Sequence, residues 1–224
     1  TVYASAGDGW RRKQAVSAAS WGGARGGAGV AGTGYNTISA SYAFAIHASF
    51  QGGRGGNTYY CTRAYFPFNL SSESGTISSE TLEVYLEEND SSGSDGGVFA
   101  DIVAVQATAL SGNNDDHGNC FSSGATLGTT LTDTIRASKT AGFHTFTFNS
   151  SGISAMQSLI GSGTLTICIM NAKFDHGNIS PVLNGDRSVI DVDFSQGSND
   201  AYLDITYGAA AAVTDNATFF GANF

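Results

Sequence analysis

The chain has 224 residues, of which 30 are glycine and only 2 proline, a composition that argues against long helices and for many short strands joined by Gly, Ser and Asn turns. Its length suits a single all-β domain. A net charge of −9 repels phosphates and argues against a nucleic-acid partner, and no apolar run approaches the roughly 18 residues of a membrane span, so a membrane partner is not expected either.

The charge is unevenly placed. Residues 1–70 hold six basic residues against Asp8 alone, a net +5, whereas residues 71–224 hold four basic and eighteen acidic residues, a net −14. This asymmetry suits head-to-tail contact between copies, or docking of a basic face on an acidic partner; two solvated faces would look the same. Cys61, Cys120 and Cys168 are odd in number and lack disulfide-framework or metal-ligand spacing, so reduced thiols are expected. Reduced thiols, with no signal peptide at Thr1-Val2-Tyr3, point to assembly in a reducing cytoplasm.

Val2-Tyr3-Ala4 predicts a short first strand, ended by Gly7-Asp8-Gly9. Trp10 to Trp21 carries apolar residues without a clear period and reads as a second strand or an extended arm. Gly22 to Gly34 holds seven glycines in thirteen residues. It reads as a flexible loop, because no Gly-Lys-Ser/Thr follows to make a phosphate cradle. Residues 1–34 are thus expected to be an N-terminal strand or arm with a glycine loop, 35–207 the main body, and 208–224 a C-terminal arm. Ile38 to Phe50 alternates Tyr42, Phe44, Ile46, Ala48 and Phe50 against Ser41, Ala43, Ala45, His47 and Ser49, a one-sided strand. Gln51 to Asn57 is a second glycine loop.

In Tyr59 to Leu86, Tyr60, Thr62, Ala64, Phe66 and Phe68 oppose Cys61, Arg63 and Tyr65, predicting a half-buried strand. The polar stretch Ser71 to Gly75 follows, and Leu82, Val84 and Leu86 against Thr81, Glu83, Tyr85 and Glu87 restore period two, so the pair reads as a hairpin. The run Arg63-Ala64-Tyr65-Phe66-Pro67-Phe68-Asn69-Leu70, then Gly75-Thr76-Ile77, then Thr81-Leu82-Glu83-Val84-Tyr85-Leu86 resembles the core hairpin of DNRLRE-type and carbohydrate-binding-module-type jelly rolls. Asn69 stands where that pattern usually has Asp. Phe143 to Asn149 with Gly152-Ile153, and Ala201 to Tyr207, resemble its later strands in the same order.

The resemblance implies an all-β jelly-roll β-sandwich of two antiparallel sheets with one or two short helices and extended terminal arms. Domains of this layout occur in structural proteins of tailed-bacteriophage particles and as modules on secreted or cell-surface proteins. The implied function is a non-enzymatic virion protein assembled in the host cytoplasm. It would be a trimeric decoration or cement subunit that binds and stabilises the shell through the major capsid protein or other virion proteins. The alternative is a carbohydrate-binding module or a tail-fibre domain adhering to host glycans, which would place the protein outside the cell.

Farther along, Asn89 to Gly97 reads as a polar loop, Val98 to Leu110 as a strand, and Leu127 to Lys139 as a short helix with Leu131, Ile135 and Arg136. Ser150 to Gly161 predicts one or two helical turns, with Ile153, Met156, Gln157 and Ile160 on one face and Gly161 as the stop. Leu165 to Phe174 reads as a central strand. Asn184-Gly185 marks a hairpin turn joining Val182-Leu183 to Val189–Phe194, and Tyr202 to Tyr207 closes the sheet. After Tyr207 the chain ends in three Phe within six residues, a density of apolar rings that suits a docking arm or packing back on the domain.

Candidate docking residues are Trp10, Arg11, Arg12, Lys13, Trp21 and Arg25 near one end, with Phe219, Phe220 and Phe224 at the other. Trp10, Trp21, Tyr35 and Tyr59 are the candidates for stacking on a sugar. Asp116-His117-Gly118-Asn119 recurs as Asp175-His176-Gly177-Asn178, 59 residues on. Two Asp-His pairs could supply metal ligands or an acid/base pair, but no third ligand has recognisable spacing and the composition favours turns, with Gly at φ > 0. Asp186, Asp191, Asp193 and Asp200, or Asn113 to Asp116, lack the Asp-x-Asp-x-Asp-Gly pattern of a Ca²⁺ loop and read as solvated carboxylates. No nucleophile elbow or Cys-His pairing is evident, so neither an enzyme nor a cofactor or metal is expected.

Overall fold

The computed structural model describes residues 1–5, 7–16, 21–26, 33–36, 46–53, 56–89, 101–111, 114–123, 126–137, 140–182, 187–194 and 197–208. In chain order the elements are β1 (Val2–Tyr3), β2 (Gly9–Val16), α1 (Trp21–Arg25), β3 (Thr33–Asn36), β4 (Ile46–Gly53), β5 (Gly56–Asn69), β6 (Ile77–Asn89) and β7 (Asp101–Ala107). Then come β8 (Phe121–Ser123), β9 (Thr126–Leu127), β10 (Ile135–Arg136), β11 (Gly142–Thr147), α2 (Ser150–Gln157), β12 (Thr164–Asn171), β13 (Arg187–Val192) and β14 (Tyr202–Tyr207). A 3₁₀ turn covers Asn114–Gly118 and a π-helical turn covers Ala172–His176.

The fold is the expected all-β sandwich of antiparallel sheets. One layer runs β1–β14–β6, with β11 on the other side of β6. The other runs β5–β12–β7–β10, with β2 and β4 also on β5. β13 bridges the layers by pairing with both β6 and β4. The main core lies between them and contains Ala64, Phe66, Phe68, Leu82, Val84, Leu86, Ile102, Phe146, Ile167, Ile169 and Leu203.

The layers differ in what covers them. β6 is buried on one face only, with Leu82, Val84 and Leu86 inside and Thr81, Glu83, Tyr85 and Glu87 partly exposed, as its alternation implies. β12 is buried on both faces from Leu165 to Asn171. Leu165, Ile167 and Ile169 face the main core, and Cys168 and Met170 face a second cluster with Tyr65, Val103, Val105, Cys120 and Phe121. β5 is not half-buried either, because Cys61, Arg63 and Tyr65 are covered as fully as Ala64, Phe66 and Phe68.

The structure corrects several expectations about pairing. β5 and β6 do not form a hairpin; β5 pairs with β2, β4 and β12, and β6 with β11, β13 and β14. The polar connection crosses between layers instead, so that the apolar faces of both strands enter the same core. Residues 127–137 are not helical among the described residues, since Thr130 and Thr132 make isolated bridges and Ile135–Arg136 is a strand on β7. The glycine loop begins with a helical turn, α1, and Thr33–Asn36 is a strand paired with β2. The strand expected over 165–174 ends at Asn171, whose side chain caps the following turn by accepting from Phe174 N. The Asn184-Gly185 turn lies outside the described residues, and β13 pairs with β4 and β6. α2 forms where expected but ends at Gln157, short of Ile160 and Gly161: Asn149 caps it by accepting from Gly152 N at 2.9 Å, Met156 is buried, and Gly161 adopts φ 77° in the turn that follows.

Candidate functional site

Among the described residues, a dense group of polar and titratable side chains is sealed inside the molecule, behind β5. Arg63 projects from the face of β5 that turns away from the main core, and it is fully buried. A guanidinium carries five N–H donors, and here all five find an acceptor. Nε and Nη2 form a fork on Asp175, to Oδ2 at 2.6 Å and Oδ1 at 2.7 Å. Nη2 also donates to Arg25 O at 2.7 Å, and Nη1 to His117 O at 2.7 Å and His117 Nδ1 at 3.1 Å.

The second shell of contacts ties three chain segments to this point. Arg25 Nε donates to Asp175 O at 2.6 Å, Tyr65 Oη to His117 O at 2.9 Å, and Trp21 Nε1 to Phe174 O at 3.2 Å. His117 Nε2 lies 3.1 Å from Cys61 O, so the tautomer with hydrogen on Nε2 donates there while Nδ1 accepts from Arg63. The Phe121 ring lies 5.1 Å from both the Arg25 and Arg63 guanidinium carbons.

Burial alone would lower the pKa of Arg63, but the charge of Asp175 and the nearby thiols reverse the sign and raise it well above its ordinary value. Burial, and then the contact with Asp175 against the pull of Arg63, leaves the Cys61 thiol raised. Cys120 and Cys168 share a side-chain hydrogen bond, and burial acts to raise both. That bond and Arg63 hold Cys120 below its ordinary value, while Cys168 stays well above. All three thiols are buried and free.

The repeated Asp-His-Gly-Asn segments are turns, and they also converge on Arg63, the first through His117 and the second through Asp175. In the second copy the left-handed conformation falls on Asn178, at φ 53°, and not on Gly177. Gly177 is needed for close approach, since a Cβ there would sit 2.6 Å from Lys173 O. Asp116 accepts from Ser111 N and Oγ and from Asn119 Nδ2, and His176 Nε2 lies 3.1 Å from Thr130 Oγ1, so the two copies play unlike parts. Among the described residues no three His, Cys, Asp or Glu side chains are placed to hold a metal. Asp193 and Asp200 are buried, not solvated; Asp193 accepts from Asn199 Nδ2 at 3.0 Å, and burial raises the Asp200 carboxyl.

The residues expected at a docking or glycan surface are dispersed. Trp10, Arg11, Arg12 and Lys13 lie in β2, hydrogen-bonded to β5, and Tyr35 lies in β3 opposite Arg12. Trp21 and Arg25 are buried, so neither presents to a partner in this fold. Tyr59 stacks on Phe50 with centroids 4.2 Å apart and meets Trp21 at 6.0 Å, a pair turned inward. Phe219, Phe220 and Phe224 lie outside the described residues. A shallow cleft of about 500 Å³ between β7 and α2 is lined by Gln106, Thr129 and serines, of which Ser154 and Ser158 donate back to their own helix.

The outward-facing rings are elsewhere, over the outer face of the β1–β14–β6–β11 layer, where Tyr3 and Phe143 are exposed and Tyr85 and Tyr202 are partly so. Alternation along β6 places Tyr85 on its polar side, but nothing local in the sequence links it to the other three rings. No protein-family model and no curated protein matches the chain. No helix among the described residues is long and apolar enough to cross a membrane.

Proposed function

We propose that this chain is a non-enzymatic structural subunit of a phage-like particle, a trimeric decoration or cement protein that binds the assembled shell through the major capsid protein or another virion protein. The observation that supports this reading is a contrast within the fold. The titratable and nucleophilic groups around Arg63 are spent on holding β5, α1 and two turns together, whereas the outer face of one sheet presents exposed rings. Tyr3 is 58 % and Phe143 42 % exposed on that face. A rigid body with a broad surface suits an assembly role, in which binding stabilises the assembled state by mass action. The sequence resemblance to jelly rolls of tailed-phage particles points the same way.

Mass spectrometry of particles purified from a culture that produces them tests the proposal. The chain is expected in a fixed copy ratio to the major shell protein. Its absence from particles, together with retention on a glycan array, would replace this reading with the carbohydrate-binding one.

A further inference from the structure

The outer face of the β1–β14–β6–β11 layer carries an unbroken row of rings. Tyr3 and Tyr202 are direct cross-strand partners with centroids 5.8 Å apart, as are Phe143 and Tyr85 at 5.2 Å. Phe143 meets Tyr202 at 5.7 Å over β6, so the row spans four strands. Around it stand Glu83, which is opposite Tyr202, with Glu87 and Asp204. None of the four strands contains a Lys or Arg. Among the described residues, the side chains that hydrogen-bond Glu83 and Asp204 are the neutral hydroxyls of Thr145, at 2.9 Å, and Thr1, at 3.5 Å, which do not cancel the negative charge.

We propose that this face docks a basic, extended peptide segment of a neighbouring protein, with Lys or Arg side chains lying over the rings and paired with Glu83 and Asp204. The inference rests on the assembly reading for the identity of the neighbour alone. Three observations choose the occupant. Surplus carboxylate beside aromatic faces is complementary to cations and repels anions. The planes of adjacent rings are inclined at 56°, 60° and 87°, so no flat platform is offered to a pyranose. A second copy meeting the first face to face would bring like carboxylates together. Cross-strand aromatic pairing stabilises a sheet in its own right, but it does not call for the surrounding acidic rim. Each contact is weak, and a particle surface would strengthen the sum by repetition.

The test is an NMR titration of the intact chain with a short Arg-Ser repeat peptide and, separately, a neutral glucan oligosaccharide. The peptide is expected to shift resonances of β1, β14, β6 and β11, with affinity falling as salt rises. Phe143→Ser removes a ring and leaves every charge, and Glu83→Gln removes a charge and leaves every ring; each should weaken binding roughly five-fold, while Asp133→Asn, on an exposed site elsewhere, should not. Tyr3→Ser, near the chain terminus, serves in place of Phe143→Ser if the latter loses its fold. The proposal is overturned if the peptide leaves this face unperturbed, if the ring variants bind as well as the unaltered chain, or if the glucan shifts these residues instead. Shifts of this face that depend on protein concentration would overturn it in favour of self-association. Absence from particles would remove the neighbour's identity without touching the peptide result.

Discussion

Arg63 lies fully buried behind β5. A buried guanidinium is tolerable only with its charge opposed and its donors used, and Asp175 does the first while Arg25 O and His117 complete the second. Removing one partner of such a pair is far worse than never having had it, because a charge is then left in the interior. Asp175→Asn is therefore expected to lower the unfolding free energy by about 3–5 kcal/mol in a urea titration, a large share of the 5–15 kcal/mol typical of a domain. The double variant Arg63→Met with Asp175→Leu should cost clearly less than the sum of the two single changes. Additive losses would mean that the pair is not coupled. Arg63→Lys should not rescue the site, since an ammonium cannot reproduce the fork.

At the scale of elements, α2 shows how packing overrides local preference. Gly152 lies inside the helix, where alanine is ordinarily better by about 1 kcal/mol. A Cβ at that position would drive into Leu131 O and come within 2.8 Å of the Phe148 ring. Gly152→Ala is thus expected to destabilise the fold by about 1–3 kcal/mol, read as a lower Tm, the reverse of what helix propensity alone would give. A raised Tm would show that the 131–132 bridge segment yields.

The strands show a related division. β6 and β14 alternate because one of their faces meets solvent, and they could be read from spacing alone. β5, β7 and β12 bury both faces, and their polar-side residues, Cys61, Arg63 and Cys168, became legible only when α1, the 3₁₀ turn and β8 were seen to cover them.

For the whole molecule, the balance of stability with pH turns on Glu80. Its carboxyl lies on the inward side of β6, 3 % exposed, with no hydrogen-bond partner on either oxygen, and burial pushes its pKa up to about 8 from 4.5. The raised value means that the folded state holds a proton the unfolded chain would release. Stability from this group is fully present below pH 4.5 and is lost as pH rises through about 8. Burial lowers His144 and His176, which act in the opposite sense by costing stability as pH falls below 6.5. Between about pH 6.5 and 8 Glu80 costs stability as pH rises, the lowered Cys120 thiol acts in the opposite sense, and comparison with Glu80→Gln isolates the Glu80 share. Tm is expected to fall across that interval in the unaltered chain, by the equivalent of about 2 kcal/mol of stability more than in Glu80→Gln. Parallel curves would show that Glu80 reaches solvent or a partner.

Alternation, glycine-rich turns and the scarcity of proline determined by themselves that this chain is an all-β sandwich with a short helix at Ser150–Gln157, because strand periodicity and helix capping are local properties carried by neighbouring residues. Only the tertiary structure decided which strands pair, that β5 and β6 face each other across the core, and that Trp21 and Arg25 lie inside. Period two specifies a face but not a partner. The acceptors of Arg63 come from residues 25, 117 and 175, and the outer-face rings from residues 3, 85, 143 and 202. Such separations leave no local trace until the chain has folded.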